Sequence, residues 1–209
     1  MRDGVMACEH AAAGIILAAG RSIRFGRDKR RESINGRPML LHAATLMASV
    51  VPDTLVVLGP DDQALASLLA SEGIHSTICD QARSGMGHSL AHGVAQRPNA
   101  TGWLIMPGDM PFMQRDTVRA VADAACEHDM AAPLHAGRRG HPVWFSRRFG
   151  PALRALTGDE GARALVKAHG ASASGDSNTT QVGSLWLVDV QDPGCLIDVD
   201  TPGDLVATR

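Results

Sequence analysis

The sequence has no tyrosine and little aromatic content of any kind, with four Phe and three Trp among 209 residues. Proteins that bind single-stranded nucleic acids stack the bases on aromatic side chains, so this scarcity argues against a nucleic-acid partner. An excess of basic charge is also missing, because 20 Lys and Arg oppose 22 Asp and Glu for a formal net charge of −2. The chain as a whole is therefore not a general binder of polyanions.

Closely spaced cysteines and long apolar runs are absent as well. The four cysteines stand far apart, at positions 8, 79, 126 and 195, which is typical of reduced thiols in a cytoplasmic protein. The longest apolar stretch, at residues 11–20, is about half the length that spans a bilayer. We therefore expect a cytoplasmic protein with no membrane partner, a flexible leader at residues 1–13 and a single domain at residues 14–209.

Short apolar runs alternate with amphipathic segments through the first two thirds of the chain. We predict strands at residues 14–18, 54–58, 74–79, 102–106 and 130–134, and helices at residues 37–50, 61–72, 87–96 and 114–128. This alternation indicates βαβ units. It predicts an α/β fold with a mostly parallel sheet and helices on both of its faces.

The pattern changes after residue 135. A turn at residues 137–140 leads into an expected antiparallel strand at residues 141–145, followed by two short helices at residues 147–156 and 160–169. Residues 171–184 are rich in Ser, Gly, Asn and Thr, which predicts a loop before a last strand at residues 185–190. The second part of the chain thus adds a small antiparallel element to the sheet.

Charge is distributed unevenly along the chain. Seven Arg and Lys lie between residues 21 and 37, whereas five Asp and no basic residue lie between residues 189 and 204. The two segments are either the halves of a phosphate and metal site or two solvated surface patches.

Residues 17–29, with the sequence LAAGRSIRFGRDK, form the most informative segment. They follow a predicted buried strand, at the sheet edge where open α/β folds bind ligands. Gly20 and Gly26 allow close approach of the backbone to an anion, and backbone N–H groups donate to phosphate oxygens. The glycine spacing fits neither the dinucleotide-binding nor the Walker A pattern. The loop is thus a phosphate cradle of another kind or a surface turn.

This loop resembles the signature of nucleotidyltransferases that join a nucleoside triphosphate to a phosphorylated acceptor, and it is most similar to the family of molybdenum cofactor cytidylyltransferases. Further segments resemble that family in the same order along the chain: NGRPML at 35–40, GMGHSL at 85–90, GDMP at 108–111, GHPV at 140–143, GDEGAR at 158–163 and IDVDTPGDL at 197–205. The resemblance implies a Rossmann-like three-layer nucleotidyltransferase fold. It also implies a nucleotide-binding half at residues 14–134 and an acceptor-binding half at residues 135–209.

The activity implied by the resemblance is Mg²⁺-dependent transfer of CMP from CTP to the terminal phosphate of molybdopterin, with release of pyrophosphate. A molybdoenzyme would be the client that receives the product. Arg24 and Lys29 would be catalytic, because both gain as charge builds on the departing pyrophosphate. The nucleotide-binding set would be Leu17, Ala18, Ala19, Gly20, Arg21, Ser22, Gly26, Gly85, Met86 and Ser89.

Three aspartates are the candidate metal ligands. The resemblance implies that Asp109 binds Mg²⁺ and is catalytic, and carboxylates together with phosphate suit this ion. Asp198 and Asp200 alternate along an extended segment, so both point to the same face; the pattern does not tell which of them completes the site. Asp204, three residues after Thr201, fits a cap of the last helix.

Substrate choice depends on a few positions. Ala18-Ala19 resembles the cytidylyl-transferring enzymes, whereas related guanylyltransferases tend to carry Gly at the second position, so CTP is favoured over GTP. His141 and Arg163 lie where the family binds molybdopterin, and Arg163 suits a bidentate contact with its terminal phosphate.

Two segments depart from the family pattern. Arg30-Arg-Glu-Ser33 replaces a leucine-rich run at the edge of the triphosphate site, and Cys79-Asp80 stands where Asn-Pro is common. His88 and His92 share a helix face but lack the third ligand of a zinc site. The alternative functions are a transferase that uses GTP or another acceptor, and a non-catalytic carrier of nucleotide or cofactor.

Overall fold

The computed structural model describes residues 12–20, 25–170, 181–182 and 184–205. Three of the expected site residues, Arg21, Ser22 and Arg24, lie outside these ranges, as do residues 1–11 of the expected leader and most of the expected loop at residues 171–184. Residue 13 was expected in the leader, but the first strand begins there, because Ala13 is fully buried and pairs with Trp103.

The secondary structure alternates strands and helices. The strands are β1 (Ala13–Leu17), β2 (Ser33–Ile34), β3 (Arg37–Pro38), β4 (Thr54–Leu58), β5 (His75–Ile78), β6 (Gly102–Pro107), β7 (Met130–His135), β8 (Arg138–Arg139), β9 (Val143–Ser146), β10 (Gln181–Val182) and β11 (Leu185–Asp189). The helices are α1 (Met39–Ala48), α2 (Gln63–Ser71), α3 (Met86–Ala95), α4 (Arg115–Ala124), α5 (Gly150–Arg154) and α6 (Arg163–Gly170).

One mixed sheet organises the described residues. Its strands run in the order β10-β11-β7-β9-β6-β1-β4-β5, with β8 paired beside β7. The pairs β1–β4, β1–β6, β4–β5 and β7–β11 are parallel, whereas β9 lies antiparallel between β6 and β7. The expected α/β architecture, mostly parallel with a small antiparallel element, is confirmed.

Helices cover both faces of the sheet because successive strand residues point to opposite sides. Ile16, for example, packs in the cluster that includes residues of α1, α2 and α4. Its neighbour Ile15 packs in the cluster that includes residues of α3, α5 and α6. The central strands β1, β4 and β6 are buried on both sides, which explains why they read as continuous apolar runs.

Several element boundaries differ from the sequence predictions. The helix expected at residues 37–50 begins at Met39, because Arg37–Pro38 pair with Ser33–Ile34 in a separate two-stranded sheet. The connecting residues Asn35 and Gly36 have positive φ angles of 50° and 82°, as a tight hairpin turn requires. Gln181–Val182 pair with β11 instead of continuing the expected loop, and Arg138–Arg139 pair with β7 instead of forming a turn. No helix in the described part of the chain has the length and apolar character needed to cross a bilayer.

Candidate active site

A cavity of about 340 Å³ opens at the carboxyl ends of β1 and β6. This is the edge at which open α/β sheets bind ligands. Its lining combines segments that lie far apart in the sequence. At the end of β1 and in the loop that follows, it is lined by Leu17 to Gly20, Lys29 and Arg30. Around the start of α3 it is lined by Ala82, Arg83, Gly85, Met86 and Ser89, and at the end of β6 by Pro107 to Asp109, with Asp159 from a later loop. The structure thus gathers Leu17, Ala18, Ala19, Gly20, Gly85, Met86 and Ser89 of the expected nucleotide-binding set around one space.

Lys29 joins the two distant carboxylates of this site. Its Nζ lies 2.8 Å from Asp109 Oδ2 and 2.8 Å from Asp200 Oδ1, and the Lys29 side chain is only 12% exposed. Burial lowers the pKa of Lys29, but the hydrogen bonds to Asp109 and Asp200 outweigh it and raise the pKa overall. The ammonium therefore stays charged and holds the basic loop against the acidic C-terminal segment.

Asp109 is a half-buried carboxylate with unused hydrogen-bonding capacity. Its Oδ1 atom is shielded from solvent and has no hydrogen-bond partner in the described structure. Burial raises the pKa of Asp109, while the bond to Lys29 partly offsets that rise. A buried carboxylate oxygen without a partner is costly, and a cation at this point would remove the cost.

The segment that carries Asp198 and Asp200 is fixed by its middle residue. The Val199 N–H donates to Asp109 O at 2.9 Å, and the Val199 side chain is fully buried in a cluster with Phe25 and Met39. Asp198 and Asp200 therefore point away from Val199, toward the site: Asp198 raises the pKa of Asp109 through its charge, and Asp200 binds Lys29. Asp204 accepts from the Asp200 and Thr201 amides at 2.9 and 2.7 Å, the expected capping arrangement.

These aspartates fit a magnesium ion only together with a substrate. The described residues contain no group of three or more His, Cys, Asp or Glu side chains placed to hold a metal by themselves. Mg²⁺ usually binds through one or two carboxylates with phosphate oxygens and water. Asp109, with its free buried oxygen, is the ligand that suits this mode, and Asp198 and Asp200 lie beside it.

The start of α3 is packed tightly against the loop at residues 157–159. The Gly87 amide donates to Gly158 O at 2.7 Å, and the Gly85 amide donates to Ala82 O at 3.3 Å. Gly85 was expected in the nucleotide-binding set, but its amide and that of Gly87 already have acceptors. Ser89, which is 4% exposed, lines the cavity directly.

Gly85 should be the glycine at the site that tolerates a side chain least. Its φ of 126° disfavours any other residue, and an added Cβ would overlap the Gly158 carbonyl group and lie 2.7 Å from Asp159 Oδ1. Gly85→Ala should therefore destabilise the protein by roughly 2–5 kcal/mol, through backbone strain and overpacking. Gly137→Ala is the matched control, because Gly137 has a φ of 74° but no atom within 4 Å of the added Cβ. Denaturant unfolding would measure both losses, and equal losses would contradict the packing argument.

A second set of candidate residues, at and around His141, is not among the cavity-lining residues. His141 Nδ1 is shielded from solvent and unpartnered among the described residues, and burial together with the charge of Arg139 lowers the pKa of His141 to about 4. Partial burial and the nearby Arg163 lower the pKa of Arg139. No ion pair within the described ranges neutralises Arg139 or Arg163. His141 is thus neutral at pH 7 beside the Arg139 guanidinium, and Arg139 is in turn repelled by Arg163.

Sequence reasoning missed several residues of this region. Arg139 was assigned to a turn, although its position two residues before the predicted acceptor residue His141 was a usable signal. Arg30, Arg83 and Asp159 also line the cavity. Gly26, expected in the nucleotide-binding set, has a positive φ of 77° and open space around it, but it is not among the cavity-lining residues.

The two histidines of α3 lie at another cavity, of about 520 Å³, with Cys79, Asp80 and Arg154. His92 Nε2 is 2.9 Å from Thr77 Oγ1, and the described residues include no cluster that would hold a metal here.

The family model described as the MobA-like NTP transferase domain matches residues 14–173. The purine catabolism protein PucB of Bacillus subtilis is 31% identical over 208 residues, covering 94% of this chain and 95% of that protein.

Solved structures show the same architecture over nearly the whole chain. The crystal structure of Rv0371c from Mycobacterium tuberculosis H37Rv has a TM-score of 0.78 and 28% identity, covering 95% of this chain and 96% of that one. A structure of Rv0371c in complex with manganese has a TM-score of 0.73 and 26% identity, with coverages of 94% and 97%.

Proposed function

The chain belongs to the MobA-like NTP transferase family, and from this membership we propose that it is a molybdenum cofactor cytidylyltransferase. In this proposal it transfers CMP from CTP to the terminal phosphate of molybdopterin, in the cytoplasm, and a molybdoenzyme receives the product. The observation that carries the proposal is the Lys29 ammonium, held between Asp109 and Asp200 at 2.8 Å from each, beside a cavity of nucleotide size.

The proposed reaction is an in-line displacement. An oxygen of the acceptor's terminal phosphate attacks the α-phosphorus of CTP, and the bond from that phosphorus to the oxygen bridging to the β-phosphate breaks. Pyrophosphate leaves with the electron pair, and a new phosphoanhydride joins CMP to molybdopterin. Catalysis of this kind depends mainly on positioning and on charge stabilisation.

Each group at the site has a part in this proposal. Lys29 neutralises charge on the departing pyrophosphate, and Arg24, in the same loop, shares this role. Asp109 with Asp198 or Asp200 would hold Mg²⁺, which would neutralise phosphate charge when bound. No nucleophilic side chain is needed, because the acceptor phosphate itself attacks.

The acceptor is proposed to bind on the half at residues 135–209, with the nucleotide on residues 14–134. Arg163 and Arg139 repel each other electrostatically, and a phosphate dianion bound by both would offset that repulsion. His141, beside Arg139, is a neutral imidazole suited to hydrogen bonding with the acceptor. The base assignment rests on Ala18 and Ala19, which both line the cavity.

The test is pyrophosphate release with Mg²⁺ and molybdenum-loaded molybdopterin, comparing CTP, GTP, ATP and UTP. We expect kcat/KM for CTP to exceed that for GTP by about ten- to a hundredfold, the range that small changes of pocket shape supply. Preferred turnover of GTP would replace the base assignment and keep the chemistry. Nucleotide binding without turnover of any of the four would favour the carrier or another acceptor.

A further inference from the structure

Arg30 is a buried charge at a position where the family pattern has an apolar run. Its side chain is 12% exposed, and burying a guanidinium is costly unless it is fully paired. Arg30 meets that condition completely, because all five of its N–H donors are used.

The five bonds reach three separate chain segments. Nε and one Nη2 proton donate to the Asp28 carboxylate at 2.7 and 3.0 Å. Nη1 and the other Nη2 proton donate to the Asp62 carboxylate at 2.5 and 2.7 Å. The last Nη1 proton donates to the Ala18 carbonyl oxygen at 2.7 Å. Asp62 in turn accepts from the Gly59 amide at 2.8 Å, which ties in the turn after β4.

Arg30 lies at the edge of the cavity, which it lines together with Ala18 and Lys29. Asp28 directly precedes Lys29 and also accepts from the Arg30 amide at 3.2 Å. Burial lowers the pKa of Arg30, but the bonds to Asp62 and Asp28 outweigh it and raise the pKa overall. The guanidinium therefore remains charged and keeps these contacts at all physiological pH values.

The residues on either side of Arg30 show what its contacts hold in place. In the single 3₁₀ turn at Lys29–Arg31, Arg30 points to Asp28 and Asp62, while Lys29 points to Asp109 and Asp200. Arg31 is largely exposed and has one 3.5 Å ion pair, with Asp28. A lysine on a short turn has many rotamers, so a rigid turn greatly reduces the space its ammonium can occupy.

We propose that Arg30 is a positioning residue. With Asp28 and Asp62 it fixes the Ala18 carbonyl and the Lys29 turn relative to each other, so that the Lys29 ammonium is held where the triphosphate binds. This inference rests on the proposed function for its effect on turnover, but its structural part does not. Arg30 itself is not a further phosphate ligand in this proposal, because all five of its N–H donors are already used within the protein.

The test compares Arg30→Gln with the matched control Arg31→Gln in the full chain, and it has two readouts. The first is the rate at which an amine-specific acylating reagent labels Lys29, measured by peptide mass spectrometry. The chain has only one other lysine, Lys167, which is exposed and serves as the internal standard. We expect Lys29 to be labelled several-fold faster in Arg30→Gln and at the wild-type rate in Arg31→Gln.

The second readout is pyrophosphate release with whichever nucleotide the wild type uses best. Misplacement of a reacting group by about 1 Å costs on the order of a hundredfold, so Arg30→Gln should lower kcat about ten- to a hundredfold. The thermal midpoint of each variant corrects for the folded fraction. Asp62→Asn removes the charge that Arg30 pairs with in the distant segment, while Asp28 stays paired with Arg30. It should shift both readouts in the same direction even if Arg30→Gln folds poorly.

The outcomes separate the two proposals. Wild-type labelling of Lys29 in folded Arg30→Gln and Asp62→Asn would overturn the positioning role. Faster labelling of Lys29 with undiminished kcat would also overturn it. The variant's turn would then be looser than in the wild type, and the reaction would not depend on the position of Lys29. If the variants are labelled faster but the wild type turns over no nucleotide, the structural role of Arg30 is supported and the proposed function is contradicted instead.

Discussion

Asp109→Asn should lower kcat for nucleotidyl transfer by on the order of a thousandfold, because loss of a preorganised charge at the reacting phosphates costs about 3–4 kcal/mol. The substitution keeps the shape of the side chain and removes the charge that a divalent cation requires. Asp109 Oδ1 is the buried oxygen without a described partner, so this position should depend most strongly on a cation.

The measurement is pyrophosphate release, run beside Mn²⁺ affinity in the presence of nucleotide. Asp123→Asn, at an exposed position in α4, is the control for loss of one carboxylate elsewhere. A folded Asp109→Asn enzyme that kept more than about a tenth of wild-type kcat would contradict a role for Asp109 in holding the metal.

Lys29→Ala should change two measured quantities in opposite directions. Turnover should fall by about a hundred- to a thousandfold, because a largely buried cation no longer meets the departing pyrophosphate. Binding of Mn²⁺ to the nucleotide-free protein should instead become tighter. Lys29 neutralises Asp109 and Asp200 in the structure. Its removal takes a competing positive charge away from carboxylates that suit a divalent cation.

The control is Lys167→Ala, at an exposed position in α6, which should leave both quantities unchanged. Lys29→Arg keeps the charge but presents a planar guanidinium, so it should restore only part of the turnover while still weakening metal binding relative to Lys29→Ala. A Lys29→Ala protein with weakened Mn²⁺ affinity would show that the lysine supports the metal site rather than competing with it.

The strands of the sheet could be predicted well because a buried strand is recognisable from a local run of apolar residues. The strand at residues 54–58 was predicted with the bounds that the structure shows, since all five residues are buried and Pro52 and Gly59 lie just outside. The helix expected at residues 114–128 ends at Ala124 instead. Helix ends depend on which carbonyl groups find partners, and that information is not local.

Two errors have identifiable causes. The helix expected to begin at residue 37 starts at Met39, because Asn35-Gly36 closes a hairpin first; this dipeptide was a signal that the sequence did offer. The helix expected at residues 61–72 begins at Gln63, because Asp62 flanks the helix and its carboxylate binds Gly59 and Arg30. A side-chain partner 32 residues away takes precedence over the local capping preference, and no pattern in the sequence reveals it.

The sequence by itself determined the α/β architecture, the sheet edge where the candidate site lies and membership of a nucleotidyltransferase family, because these follow from apolar periodicity and short ordered motifs. Only the tertiary structure decided how the candidate residues meet. Lys29 and Asp200 are separated by 171 positions and form an ion pair, Arg139 and Arg163 come close enough to repel, and the amides of Gly85 and Gly87 are already bonded. Such contacts depend on side-chain direction and on competition for each donor and acceptor, which are settled only when distant segments pack together.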